Sequence, residues 1–189
     1  MFVHPVQAVV TLDPKPTQLE FKAWPKTTRA ENRRPPVFTE KLDGTNACIV
    51  IHEDGTLSHV QSRNRIITPS SDNFGFAQWV QDNEQELLKL GQGYHYGEWW
   101  GQGIRRGGYC LNERRFSLFN ALRWGEHNPN TPACCHVVPI IPVSTVEEVK
   151  AYLAEHGSLA APGFNNPEGA IMFDPDTKTN FKIIISESK

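Results

Sequence analysis

The hydrophobic pattern of this chain takes a helical period in only two places, and that constrains the fold more than any single motif. From residue 73 to residue 90, Phe76, Ala77, Val80, Leu87 and Leu88 recur on one face, and Gly91 follows as a stop. The second stretch, STVEEVKAYLAEHG, opens on Ser144 with Glu147 three residues on, a capping-box pattern, and stops at Gly157. Elsewhere the runs are short and β-prone: NACIVIH and LSHVQS around the turn EDG, then YHYGEWW, FSLFNAL, HVVPIIPV, GAIMF and NFKIII. Runs of strands interrupted by two helices, without βαβ alternation, predict an α+β fold of largely antiparallel sheets with flanking helices.

With 189 residues, 39% of them apolar, the chain suits one domain with a short appendage. Pro35 and Pro36 disfavour helix and sheet-interior positions, so the expected division is a basic, proline-rich arm over residues 1–36 and a folded domain over 37–189. No apolar run approaches bilayer length, and MFVHPVQAVVTLDPKP lacks a basic start and cleavage region. The expectation is a soluble cytoplasmic protein with no membrane partner. Four cysteines, Cys48, Cys110, Cys134 and Cys135, show no paired spacing and are expected as reduced thiols. The triplet Cys134, Cys135, His136 lacks a second half with ligand spacing, which argues against structural zinc.

A net charge of −2 excludes a wholesale nucleic-acid coat, but the charge is uneven. Lys22, Lys26, Arg29, Arg33 and Arg34 face only Glu31 in one basic stretch, and Arg105, Arg106, Arg114 and Arg115 form another. Either could contact phosphates.

The segment FTEKLDGTN places Lys41 beside Asp43 and Gly44, just before a β-prone run. A lysine acts as a nucleophile only after losing its proton, which cationic neighbours, a divalent metal and desolvation promote. Gly44 would let backbone approach a ligand, and Asp43, Thr45 and Asn46 supply polar groups for a turn or for ligand contact. A K-x-D-G match arises by chance in roughly one chain of this length in twenty-five, so the motif needs support from elsewhere. Support comes from Glu98 in YHYGEWWG, Phe116 and Phe119 in FSLFNAL, Glu168 in PEGAIMF and Lys182 in NFKIII. Two acids, two lysines and an aromatic platform suit a nucleoside triphosphate.

The order of these segments resembles the covalent nucleotidyltransferase superfamily, and most closely the nick-sealing ATP-dependent RNA ligases of phages and bacteria. The likeness runs from about Val37 to Lys182. It implies Lys41 as the nucleotidyl-lysine, Glu40 at the adenine edge, Asn46 among the ATP contacts, and Arg63 in SRNRIITPSSDNFGF on the sugar or RNA end. It further implies Glu98 on the ribose hydroxyl, Phe119 stacked on adenine, Glu168 as a catalytic group at the metal, and Lys182 on the phosphates. Relatives carry a second lysine where this chain has Ile184; alternation places Ile184 and Lys182 on one face of the strand, with Lys178 a substitute from the preceding turn.

The implied fold is the ligase adenylation domain with no OB domain. The implied activity is RNA joining between a 5′-phosphate and a 3′-hydroxyl through lysyl-AMP, with ATP and Mg²⁺ or Mn²⁺. RNA ends are the expected partners, with Arg29, Arg33, Arg34, Arg105 and Arg106 as candidate RNA contacts. The end-binding role falls to a partner protein or to the basic arm. Two other readings stand beside this one: a DNA ligase or capping guanylyltransferase, and a degenerate ligase fold that binds RNA or nucleotide without turnover.

Overall fold

The computed structural model of the protein describes residue 23 and residues 29–186. The chain divides into compact units at residue 33. Of the first unit, the described part is a 3₁₀ turn, Ala30–Asn32, closed by the Asn32 N–H donating to the Arg29 carbonyl at 3.0 Å. Lys22 and Lys26 lie outside the described residues, as does most of the expected arm.

The second unit holds two sheets. The strands are β1 (Val37–Lys41), β2 (Thr45–Ile51), β3 (Leu57–Ser62), β4 (Ile66–Ile67), β5 (Gly93–Gly101), β6 (Arg114–Leu118), β7 (His136–Val137), β8 (Gly169–Asp174) and β9 (Thr179–Ile184). A six-stranded sheet has the order β4-β3-β2-β5-β6-β7, and a three-stranded sheet the order β1-β8-β9. All pairings are antiparallel except β6 with β7. This is the α+β, antiparallel-dominated architecture expected from the sequence. Strands β1 and β2 are neighbours in the chain but belong to different sheets, so Leu42, Asp43 and Gly44 form the crossing between them.

Alternation decides which face of each sheet is covered. In β2, Ala47, Ile49 and Ile51 point to one side, where they join Trp99, Phe116 and Leu118 against Phe76, Val80, Leu87 and Leu90 from the helical segment. The rings of Phe76, Trp79, Trp99 and Phe116 pack with centroids 5.0 to 5.9 Å apart. Each fully buried ring or branched chain there contributes about 1.5–3 kcal/mol. The small sheet buries Phe38, Ala170 and Ile183 against Val149 and Leu153 of a helix.

The first helical stretch is not one helix. It runs as α1 (Phe76–Asp82), breaks at Asn83, and resumes as α2 (Glu84–Leu87) with a 3₁₀ turn to Leu90. At the break the Trp79 carbonyl accepts twice from Asn83, from its backbone N–H at 3.1 Å and its Nδ2 at 2.8 Å. The second, α3 (Val146–His156), carries its capping box one residue later than the sequence pattern suggested. Thr145 Oγ1 accepts from the Glu148 N–H at 3.2 Å, and Glu148 Oε2 accepts from the Thr145 N–H at 3.2 Å. The helix stops where expected, at Gly157 with φ 70°. Among the described residues no helix is long and apolar enough to cross a membrane.

Candidate active site at the junction of the two sheets

A cleft of about 750 Å³ opens where the two sheets meet. One wall is the three-stranded sheet. Val37, Thr39 and Lys41 alternate along β1, and Thr39 and Val37 pair in register with Ile171 and Phe173 of β8. The other wall takes Thr45, Asn46, Glu98 and Phe119 from the six-stranded sheet and the residues just beyond it. Lys41 is the last residue of β1, so it sits at the cleft floor where the chain leaves one sheet for the other.

Lys41 Nζ lies 2.6 Å from Glu168 Oε1, and both side chains are largely buried. Glu168 stands at the entrance to β8, its carbonyl accepting from the N–H groups of Ile185 and Ser186 at 2.9 and 3.3 Å. Its second carboxylate oxygen, Oε2, is buried and has no hydrogen-bond partner among the described residues. An orphaned buried oxygen of this kind costs about 1–3 kcal/mol or more and fits a site built for a ligand or cation.

The crossing residues each have a separate task. Leu42 is core, packed with Trp100, Tyr109 and Val138. The Asp43 N–H donates to Tyr109 Oη at 2.7 Å, and its carboxylate pairs with Arg106 Nε at 2.9 Å and Arg105 Nε at 3.7 Å. The Arg106 Nε contact is an ion pair without hydrogen-bond geometry. Gly44 donates its N–H to Glu98 Oε1 at 2.9 Å. A Cβ at Gly44 would meet the Trp99 carbonyl oxygen at 2.3 Å and Trp100 Cβ at 2.7 Å. The room Gly44 provides is therefore for the backbone of β5, and the residue also lines the cleft.

Glu98 is buried at the back of the cleft. Besides Gly44, it accepts from Asn46 Nδ2 at 3.3 Å, and Asn46 Oδ1 in turn accepts from the exposed Arg63 guanidinium, with Nε at 2.9 Å. Burial pushes the Glu98 carboxyl up to about 7, assisted by the charges of Glu168 and Asp43; the Gly44 N–H and Lys41 pull the other way. Phe119 follows β6 directly, is exposed in the cleft, and donates its N–H to the Tyr96 carbonyl at 3.0 Å.

Three expected side chains are placed differently. The Glu40 carboxylate is buried on the opposite face of β1 from Lys41. There it accepts from Ser158 Oγ at 2.6 Å and from the N–H groups of Leu159 and Ala160 at 2.8 and 2.9 Å. Burial raises its pKa against these three hydrogen bonds. Its carboxylate is committed to the 158–160 turn, as strand alternation directs, while the residue itself still lines the cleft beside Lys41. Arg106, expected on RNA, has a side chain 1% exposed. Its guanidinium donates to Ser186 Oγ at 2.8 Å, the Ser186 carbonyl at 2.7 Å and the Asn166 carbonyl at 3.2 Å, so it ties the Asp43 crossing to the Glu168 segment. Lys178 lies in the β8–β9 turn, five residues of strand from Gly169 and so about 17 Å from the Lys41 end, too far to replace a cation at Ile184.

Lys182 pairs with Ile171, itself opposite Thr39, and so shares the cleft-facing side of the small sheet, although it is exposed on the edge strand β9 outside the cleft lining. Ile184 pairs with Gly169, opposite Lys41, which puts it on that same face at the nucleophile's end, although it too lies outside the cleft lining. Of the basic residues, Arg105 is exposed and lines the cleft. Arg34 clamps the β8–β9 turn through Asp176 at 2.9 Å and the Pro175 carbonyl. Arg29 and Arg33 are exposed in the first unit. The apolar wall of Val37, Thr39, Ile171 and Phe173 was missed; counting back by twos from Lys41 would have found the first two.

The four cysteines are free thiols. Among the described residues no group of three or more His, Cys, Asp or Glu side chains could hold a metal ion. Glu168 Oε2 thus offers one protein ligand, an arrangement suited to a hard divalent cation that keeps most of its shell as water and substrate oxygens.

Two antiparallel-dominated sheets meeting over a lysine and a carboxylate form a nucleotidyltransferase fold. The chain belongs to the RNA ligase family, whose model matches residues 34–183. Among solved structures it is similar to RNA ligase from Naegleria gruberi. A variant with ATP and Mn is 24% identical, with a TM-score of 0.58, covering 82% of this chain and 51% of that one. The ligase with pyrophosphate is 25% identical, with a TM-score of 0.55 and coverages of 82% and 50%. A variant with AMP and Mn is 23% identical, with a TM-score of 0.56 and coverages of 82% and 51%. The chain spans about half the length of these ligases. No curated protein sequence matches it.

Proposed function

We propose that the protein is an ATP-dependent RNA ligase that joins a 5′-phosphate to a 3′-hydroxyl through a lysyl-AMP on Lys41. The observation that carries this reading is the pairing of Lys41 Nζ with Glu168 Oε1 at 2.6 Å on the floor of a cleft of about 750 Å³, a size within the usual range of ligand pockets. Membership of the RNA ligase family supports it, as do the ATP, AMP and pyrophosphate complexes of the Naegleria ligase.

In the first step Lys41 gives a proton to Glu168 Oε1 or to water, and Nζ forms a bond to the α-phosphorus of ATP. The bond from that phosphorus to the bridging oxygen breaks, and pyrophosphate leaves. Phe119 stacks on the base, and Glu98, Asn46 and Arg63 hold the sugar side, so that positioning supplies much of the rate. Arg105 in the cleft lining and Lys182 on the same face of the small sheet offset phosphate charge. A divalent cation, Mg²⁺ or Mn²⁺, when bound at Glu168, neutralises charge on the phosphate oxygens. The AMP then passes to an RNA 5′-phosphate, and a 3′-hydroxyl displaces it to close the phosphodiester. Incubation with α-labelled ATP and Mg²⁺ should label the wild-type protein and leave Lys41→Ala unlabelled; equal labelling of the two refutes the assignment.

One observation favours a second reading. Ile184 stands on the cleft-facing side of β9, in line with Gly169 and Lys41, where a cation would serve the phosphates. Under that reading the protein stops at nucleotide or RNA binding, or at the first half-reaction. Nicked RNA duplexes with 5′-phosphates separate the two: sealing supports the ligase, and lysyl-AMP without sealing supports the half-reaction.

A further inference from the structure

The helical segment α1–α2 covers one face of the six-stranded sheet, and the opposite face runs from the cleft into solvent. Register identifies what stands on it. Ile66 pairs with Gln61, Gln61 with Cys48, and Cys48 with Tyr96, giving one row across four strands. The next row is His59, Val50 and Tyr94. Cys48 and Val50 are buried beneath their neighbours, whereas Ile66, Tyr94 and Tyr96 are 61%, 59% and 54% exposed. The two tyrosine rings lie nearly parallel, 15° apart in plane, with centroids 6.1 Å apart. Ile66 stands three strands from Tyr96, across Gln61 and Cys48, an ordinary single exposed apolar residue, whereas two adjoining exposed tyrosine rings on one strand face mark a contact surface.

Position and polarity select the occupant. Tyr96 is two residues from Glu98 on the same face, and its carbonyl accepts the N–H of Phe119, which lines the cleft. The patch is therefore continuous with the nucleotide site. Among the paired positions on this face the one carboxylate is Glu98, buried and hydrogen-bonded, while Arg63, His59 and Gln61 supply donors at the margin. A carboxylate-poor face with tyrosines at every second residue of a strand, spaced about 7 Å along it, presents flat rings to successive bases of a single strand.

We propose that this open face, centred on Tyr94 and Tyr96, is a base-stacking platform for the RNA strand whose end is delivered to the Lys41 cleft. The proposal rests on the RNA-joining reading of that cleft. Stacking is tolerant of sequence, so the platform would grip any RNA end by its bases while the cleft handles the phosphates.

The test uses the full chain and a short fluorescein-labelled single-stranded RNA, read by anisotropy across a salt series. Combining Tyr94→Ala with Tyr96→Ala should weaken binding about tenfold or more, and combining Tyr94→Phe with Tyr96→Phe should retain it, because the ring and not the hydroxyl makes the contact. The salt slope should stay as in the wild type, since no cation is removed. Lysyl-AMP formation on labelled ATP should persist in both variants, which also shows that they fold. Wild-type affinity in the alanine variant, an equal loss in the phenylalanine variant, or no RNA binding by the wild type overturns the proposal. Self-association of the wild type that the alanine variant abolishes, with RNA affinity unchanged, overturns it in favour of a protein contact. Tyrosine-dependent RNA binding in a protein that never forms lysyl-AMP refutes the ligase reading and leaves the platform standing.

Discussion

Replacing Glu98 by glutamine should stabilise the protein at pH 8.5 and not at pH 5, with the gain growing between them. The Glu98 carboxyl rises from 4.5 to about 7, chiefly through burial. A carboxyl whose folded-state pKa lies above its unfolded value takes up a proton on folding between those two values. Stability therefore falls as pH rises through that window, and above about 7 the deficit levels off at about 3 kcal/mol. Glutamine has no charge to bury. Its carbonyl keeps the bond from the Gly44 N–H, while its amide faces the Asn46 Nδ2 donor and loses the 3.3 Å contact, worth about 1 kcal/mol. The net gain at pH 8.5 is about 2 kcal/mol, or about 4–8 °C in Tm for a chain of this size. At pH 5 the gain vanishes and the lost contact leaves the variant slightly less stable. Thermal unfolding at the two pH values, without nucleotide or metal, measures this directly. The same difference in Tm between variant and wild type at both pH values would refute the reasoning. If Glu98 holds the ribose, the variant should also bind ATP more weakly, making the acid a residue kept for the ligand at the expense of the fold.

Gly44→Ala should lower the urea midpoint by the equivalent of about 3 kcal/mol or more, because a methyl 2.3 Å from the Trp99 carbonyl oxygen forces β2 and β5 apart; an unchanged midpoint would mean that the crossing relaxes freely. Ile184→Lys should speed lysyl-AMP formation several-fold at subsaturating ATP, since it adds a cation in line with Gly169 and Lys41. Unchanged rates would show that the apolar side chain at this position does not limit the first step.

The legible parts of the fold were those that depend on alternation and composition. The β2–β3 hairpin, β5, β8 and β9 fall where the β-prone runs placed them, and the two helical stretches occupy the expected segments. The errors lie where side chains bond to the backbone. The Asn83 amide adds a second bond to the Trp79 carbonyl at the break between α1 and α2, and Thr145 is the cap because its hydroxyl accepts the Glu148 N–H, while Glu148 reaches back to the N–H groups of both Ser144 and Thr145. For the site, Lys41, Asn46, Arg63, Glu98, Phe119 and Glu168 do converge on one cleft. What a linear motif cannot carry is direction. Glu40 and Lys41 are adjacent, yet period-two alternation sends one to the 158–160 turn and the other to the cleft. Arg106 and Arg105 also diverge, but in a turn and not by strand alternation: the six successive residues Arg105 to Cys110 all have φ between 22° and 67°. Four of these six are not glycine, and a left-handed residue such as Tyr109 costs about 1–2 kcal/mol, so the turn is readable only from the contacts that hold it.

The position of the crossing explains why so short a motif can specify so much. Between Lys41 and Thr45 the chain passes from one sheet to the other, and every residue of that passage except the lysine is fixed by the body of the protein. Leu42 is held by the core, Asp43 by Tyr109 and two arginines, and Gly44 by Glu98 and the β5 backbone. Among the described residues the one ion-pair partner of Lys41 is Glu168, whose carboxylate keeps one oxygen without a hydrogen bond. The rigid neighbours fix the root of the lysine to both sheets at once, while its ammonium end depends on a group that a cation or phosphate can engage. A nucleophile needs that division: a backbone that cannot drift and a head group that one ligand-responsive contact can release.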